Sequence, residues 1–391
     1  MIERSIESQV LFGLSFQPAV AILGPRQVGK TTFIRHLQTK LSKKSTYFDL
    51  ERSSDLAKFA HDPLTFLASL QDQTVILDEV QRLPEIFPNL RSLIDQDRQA
   101  ARFILLGSAS FTLLKNTSES LTGRIAYYEM QPLLYREIAT QVVDVQKHWL
   151  TGGFPNAFLA STVEQQQKWL EDFVRNYLER DLPLLGLSAS PVQLRRLLMM
   201  IASIQGHQLN QAMLANSLGI RASLVSLYLD FFEQSFLIRR LMPYFVNIGK
   251  RLTKTPKIYL RDSGLLHHLL SVTNYENLMG HAVAGGSWEG YVIEQVISQL
   301  HFNQLAFYYR TADGAELDLV IEQDLQIKLA IEIKLSNVPT LSKGTTLALN
   351  DLGSPPLLVV TPSADDFILR PNLWVCSLKT LDTHLLRFLR N

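Results

Sequence analysis

Three groups of residues in this 391-residue chain have the types and spacing to do chemistry on phosphates. The first is Gly24-Pro25-Arg26-Gln27-Val28-Gly29-Lys30-Thr31-Thr32, entered from the apolar run 19–23. Its glycines let the backbone wrap a phosphate and turn successive N–H groups inward. A helix starting near Lys30 adds the positive end of its dipole. In such a loop Lys30 reaches the β- and γ-phosphates of a nucleotide, and Thr31 sets its hydroxyl on Mg2+. The whole stretch from Gly24 to Thr32 is expected to line ATP. The second group closes the β-branched run 74–77 with Asp78 and Glu79. Asp78 is placed to hold Mg2+, directly or through water, and Glu79 to act as general base toward the attacking water. Ser108, at the end of the run 103–107, either orients that water or the γ-phosphate, or simply caps its strand.

The third group is Glu289, Asp318, Glu332 and Lys334. In 315–321, Leu317, Leu319 and Ile321 alternate with Glu316 and Asp318; in 330–336, Ile331, Ile333 and Leu335 alternate with Glu332 and Lys334. If the two strands pair, Asp318 and Glu332 converge on a divalent ion with Lys334 beside them. That is the chemistry of metal-assisted phosphodiester cleavage. Glu289 falls near the centre of an apolar helical stripe made of Trp288, Val292, Ile293, Val296 and Leu300. A carboxylate aimed that way needs a partner or a metal. The set resembles the PD-(D/E)xK nuclease pattern, with Leu317 standing where that pattern has its proline.

Positioning these groups calls for an α/β chain of several domains. The spacing predicts a P-loop ATPase core over 1–135, a helical connector over 136–185, a winged helix-turn-helix over 186–272 and an α/β nuclease-like domain over 273–391. Linkers are expected at 185–191 and 273–286, and turns at Gly152-Gly153 and Gly285-Gly286. In the helix-turn-helix, Ala215 allows a close crossing, Gly219 makes the turn and Val225 fills the core, with 236–241 as the wing. The outward face of its second helix carries Ser223, Ser226 and Asp230, without the Arg, Asn or Gln that read bases.

Charge is unevenly distributed. Residues 1–135 carry net +1, 136–185 net −2, 186–261 net +8 and 275–391 net −5. The basic stretch holds Arg195, Arg196, Arg239, Arg240, Lys250, Arg251, Lys254 and Lys257. Such cations suit contacts to a DNA backbone, which position without specifying; a winged helix used for protein packing is the alternative. No apolar run approaches bilayer length, and residues 1–7 read as neither signal nor transit peptide. Cys376 is the only cysteine, which excludes an intrachain disulfide and any multi-cysteine zinc site. It lies in an apolar run and reads as core. His267-His268 has no further ligand at metal-binding spacing. The expectation is a soluble cytoplasmic protein with no membrane partner.

The chain resembles the bacterial and archaeal ATPases that join an AAA-type core to a C-terminal domain of unknown function. The carrying segments are 24–31, 47–51, 77–81, 121–124, 151–155, 177–181 and 256–259, so the likeness spans nearly the whole length. It implies Mg-ATP hydrolysis and gives Arg124 the part of an arginine finger or sensor, completing an ATP site shared between subunits of a homo-oligomer. Two functions fit: a DNA-associated ATPase coupled to a metal-dependent nuclease-like domain, or an ATP-dependent switch that binds protein partners and keeps that domain for structure alone.

Overall fold

The computed structural model describes residues 2–109, 121–139, 143–245, 252–336, 339–362 and 365–389. Lys250 and Arg251 therefore lie outside the described residues. The chain divides into two compact units: Met1–Leu133 with Asp181–Leu187 and Asp230–Phe236, and Leu134–Arg180 with Ser188–Leu229 and Leu237–Asn391.

The first unit is built on a parallel sheet of β1 (Ala19–Leu23), β2 (Ser45–Asp49), β3 (Thr74–Asp78), β4 (Phe103–Gly107) and β5 (Ile125–Glu129), in the order β2-β3-β4-β1-β5. The three central strands are buried at every residue and apolar apart from Thr74 and Asp78 at the ends of β3, as a sheet covered on both faces requires. Helix α1 (Glu7–Phe16) precedes β1, and α2 (Lys30–Gln38) follows it. Helix α3 (Ile86–Gln96) sinks Ile86, Phe87, Leu90, Leu93 and Ile94 into the core at helical spacing. Because β1, β3 and β4 run parallel, the residues just past them meet at one edge. That carboxyl edge of a parallel sheet is where ligands bind.

The second unit contains α4 (Val163–Asn176), α5 (Pro191–Ser203), α6 (Gln211–Leu218) and the start of α7 (Ala222–Gln234). Gly219, at φ 66°, ends α6, and α6 and α7 are bent by 108°. Strand β6 (Ile238–Leu241) pairs antiparallel with β7 (Lys257–Leu260). Helices α8 (Ser263–Leu269) and α9 (Ala284–Ile297) lead into a six-stranded mixed sheet. Its strands are β8 (Gln304–Arg310), β9 (Glu316–Gln323), β10 (Gln326–Ile333), β11 (Leu357–Thr361), β12 (Phe367–Arg370) and β13 (Leu373–Ser377), in the order β12-β13-β11-β10-β9-β8. β8, β9 and β10 form an antiparallel meander, and β11 adds to β10 in parallel. Helices α10 (Lys343–Asp351) and α11 (Leu381–Leu389) complete the unit. Cys376 is buried in β13, where burial pushes its thiol up.

Two local expectations are corrected. Residues 273–286 are not a plain linker, since Tyr275–Met279 is helical and α9 already starts at Ala284. Gly285 and Gly286 lie in the first turn of α9 rather than in a bend. Gly286 is needed for close approach: a Cβ there would stand 2.3 Å from the Gln205 carbonyl oxygen. Among the described residues no single helix is long and apolar enough to cross a membrane.

Candidate functional site

Gly24 to Thr32 leaves β1 and closes into α2 as the pattern requires. A Cβ on Gly24 would lie 2.1 Å from the Met130 carbonyl oxygen, so only glycine fits. Gly29, at φ 93°, turns the chain into the helix, and Gln27 also adopts positive φ, 63°. Arg4 buttresses the loop from behind, its guanidinium donating to the Val28 carbonyl at 2.8 Å. Lys30 is buried and donates to the carbonyls of Gly24 (2.9 Å) and Pro25 (2.8 Å). Burial pulls its ammonium down to about 8, against the pull of Glu79 and Asp78 and with a smaller push from Arg26. Thr31 donates its hydroxyl to Asp78 Oδ2 at 2.8 Å.

Asp78 ends β3 beside the loop and also accepts from the Tyr47 hydroxyl at 2.5 Å. Burial and this carboxylate together raise the phenol well above its ordinary range, so Tyr47 stays a donor. Glu79 follows in the left-handed region, φ 54°, which a non-glycine residue adopts at a cost of about 1–3 kcal/mol. Its backbone N–H donates to Asp78 Oδ1 at 2.9 Å. Its carboxylate accepts from Ser108 at 3.1 Å and from Gln81, whose amide also donates to Ser108 at 2.9 Å. Ser108 thus does more than cap its strand. Tyr47 and Gln81 are site residues that the loop and carboxylate motifs do not reveal. Their roles depend on β2 lying beside β3 (Tyr47 opposite Ile76) and on the short turn Val80–Arg82 folding back.

Arg26 is tied by Glu51 (2.8 Å) and Asp181 (2.8 Å), with Glu79 at 3.9 Å. Burial opposes its charge, yet Glu79, Asp181 and Glu51 together raise it. Arg124 makes a bidentate pair with Asp95 at 2.6 and 2.9 Å. It precedes the start of β5, which pairs with the start of β1, whereas the phosphate loop leaves the far end. Five residues of strand put roughly 16 Å between them, so Arg124 does not reach its own chain's loop.

In the second unit, Asp318 on β9 and Glu332 on β10 are brought together by the antiparallel register Leu319–Ile331. Glu289 on α9 joins them through Lys257 of β7, whose ammonium lies 2.8 Å from Glu289, 2.9 Å from Glu316 and 3.8 Å from Asp318. Tyr259 donates to Glu289 at 2.6 Å. Lys334 pairs with Glu332 at 2.6 Å, and Thr345 donates to the same oxygen at 3.1 Å. Burial first, then Glu289 and Glu332, push the Asp318 carboxyl well up. Burial also raises Glu332, although Lys334 opposes it. Among the described residues, no group of three or more His, Cys, Asp or Glu side chains is arranged to hold a metal ion. His267 goes to the Leu150 carbonyl and Ser287, and His268 to Gln167 and Glu171.

Part of the basic middle is paired with carboxylates of the fold. Arg195 makes a bidentate pair with Glu171 at 2.8 and 2.7 Å. Arg239 and Arg261 both grip buried Glu294, and Lys257 is enclosed as described. Arg196 and Lys254 are exposed. On α7, Ser223, Leu224 and Leu227 are exposed, while Val225 is buried against the core as its spacing implies.

Residues 16–139 match the family model of the AAA domain. Residues 142–276 and 284–381 match two domains of unknown function, DUF8612 and DUF4143. The uncharacterized proteins Rv2008c of Mycobacterium tuberculosis and Mb2031c of Mycobacterium bovis are each 39% identical over 364 residues, covering 93% of this chain and 81% of theirs. Among solved structures, the chain is similar to the Walker-type ATPase paby2304 of Pyrococcus abyssi, at 16% identity and TM-score 0.46, over 69% of this chain and 96% of that one.

Proposed function

We propose a function for this chain from one premise: it belongs to the family of the two mycobacterial proteins, and it carries an AAA-type P-loop ATPase domain. It binds Mg-ATP at Gly24 to Thr32 and hydrolyses it with Glu79 as general base. The observation that carries this reading is Lys30, a buried ammonium whose hydrogen bonds go only to the loop's own carbonyls, beside a Thr31–Asp78 pair at 2.8 Å. The cradle fits a polyphosphate, because α2 begins at Lys30, where the first N–H groups of a helix lack intrahelical partners, and the Lys30 ammonium is buried at the same loop. Thr31 and Asp78 would hold Mg2+, which when bound supplies positive charge against the phosphates. Lys30 binds and neutralises phosphate oxygens. Glu79, its carboxylate fixed by Ser108 and Gln81, takes the proton of the attacking water.

We read the remainder of the chain as the receiver of the nucleotide state through protein contacts. Pairing of Arg195, Arg239 and Lys257 with carboxylates, and an α7 face of Ser223, Leu224 and Leu227, support that reading over base recognition. Exposed Arg196 and Lys254 favour a second reading, weak association with a DNA backbone. A finger role for Arg124 requires a neighbouring copy of the chain.

The test is ATP turnover and nucleotide binding by Glu79→Gln. Binding is expected to persist while turnover falls by about 10²-fold or more; equal turnover in variant and wild type sinks the assignment. Hydrolysis stimulated by DNA, with steep salt dependence, would move the second reading ahead of the first.

A further inference from the structure

The carboxylates around β9 hold an ammonium where a divalent ion would be expected. We propose that Lys257 is the resident cation of this cluster, that the chain as it stands takes no divalent ion there, and that removing the ammonium opens a site for one. This inference is independent of the ATPase reading.

The geometry is that of an ammonium set among carboxylates. Lys257 Nζ lies at hydrogen-bond distance from Glu289 (2.8 Å) and Glu316 (2.9 Å), with Asp318 at 3.8 Å and the Tyr308 ring 5.5 Å away. Hard divalent cations gather oxygens at about 2.0–2.6 Å, closer than these carboxylates can come while a nitrogen stands among them. Each carboxylate is otherwise engaged as well. Tyr259 donates to Glu289, Arg310 pairs with Glu316 at 3.1 Å, and the Ile333 N–H donates to Asp318 at 2.8 Å. Lys334 serves Glu332 on one oxygen, while the other oxygen, Oε2, is buried without a hydrogen-bond partner. A divalent ion entering beside Lys257 would meet a like charge that is itself buried, with little water to screen it. Neutralising that position reverses the balance: Glu289 and Asp318 would lose their nearest cation, Glu316 would keep only Arg310, and Glu332 Oε2 supplies an open acceptor nearby.

The experiment counts Mn2+ bound per full-length chain by electron paramagnetic resonance, without nucleotide, in wild type, Asp318→Asn, Lys257→Met and Lys257→Met/Asp318→Asn. Wild type and Asp318→Asn are expected to bind the same amount. Lys257→Met should gain one Mn2+, lost again in the double variant. Wild-type binding that disappears in Asp318→Asn would overturn the proposal, because the cluster would then be a metal site with its lysine in place. A folded Lys257→Met that gains no Mn2+ overturns its second half. If Lys257→Met needs metal to fold, added Mn2+ restores its melting transition. A variant still unfolded with Mn2+ also counts against that half, and the wild-type arm decides the first half in either case.

Discussion

Lys30 and Lys257 are buried to a similar degree, 6% and 3% exposed, and live in opposite electrostatic surroundings. Around Lys30 the bonding partners are two carbonyl oxygens, while Asp78 and Glu79 act only from a distance. Burial therefore wins, and the ammonium is pulled down to about 8. Around Lys257, Glu289, Asp318 and Glu316 outweigh burial, and the ammonium is held above its ordinary range. An under-compensated buried cation is a site prepared for an anion that arrives later. A fully compensated one is a closed ion-pair network whose ligand is already part of the chain.

The sharpest way to break this contrast is to remove each charge with a side chain of similar length. Lys257→Met leaves carboxylates buried without their partner and should cost about 3–5 kcal/mol. Lys30→Met removes a cation whose shift from 10.5 to about 8 corresponds to about 3 kcal/mol of native-state penalty, so the nucleotide-free protein should gain stability. Urea unfolding in metal- and nucleotide-free buffer measures both. The same sign of change in the two variants would show that the environments differ less than their partners imply.

The two sites also differ in how far they can be read from the sequence. The phosphate loop, Asp78, Glu79 and Ser108 are legible because each stands at the end of a short apolar run, and parallel pairing brings such ends together. Tyr47 and Gln81 are not, since their contacts depend on which strand lies beside β3 and how the chain folds after Glu79. Glu289 is legible as a carboxylate on an apolar stripe that demands a partner. The partner is Lys257, 32 residues away, which charge counting along the sequence had placed among phosphate-contacting cations. Arg195 and Arg239 are paired in the same way, with Glu171 and Glu294 of the flanking acidic stretches. Net charge per segment cannot see cancellation between segments once they pack.

Lys30 also makes the contrast visible in pH. In the unfolded chain it holds its proton up to about 10.5, and in the fold only to about 8. Between these values the unfolded state binds more protons, so the nucleotide-free protein should gain stability from this lysine as pH rises from 8 to 10.5. Phosphate binding needs the charged form, so nucleotide affinity should fall by up to about tenfold per pH unit above 8, with proton uptake on binding near pH 8. Calorimetry in two buffers of different ionisation enthalpy checks this. An affinity flat from pH 7 to 9.5 would mean that Lys30 is fully charged before nucleotide arrives.

Arg26 stands between the two lysines: it belongs to the phosphate loop, like Lys30, but is compensated by carboxylates, like Lys257. If it serves the nucleotide, its ties to Glu51 and Asp181 compete with phosphate oxygens for the same guanidinium. Asp181→Asn removes one competitor's charge while keeping its shape, and should tighten nucleotide binding a few-fold, an effect of about 1 kcal/mol. Arg26→Ala should weaken it, and the double variant should match Arg26→Ala alone, because Asp181 acts through Arg26. Titration of a fluorescent ATP analogue against the three variants measures the cycle. Unchanged affinity in all three would place Arg26 with Lys257, as a structural tie, and leave Lys30 as the loop's sole side-chain cation for the phosphates.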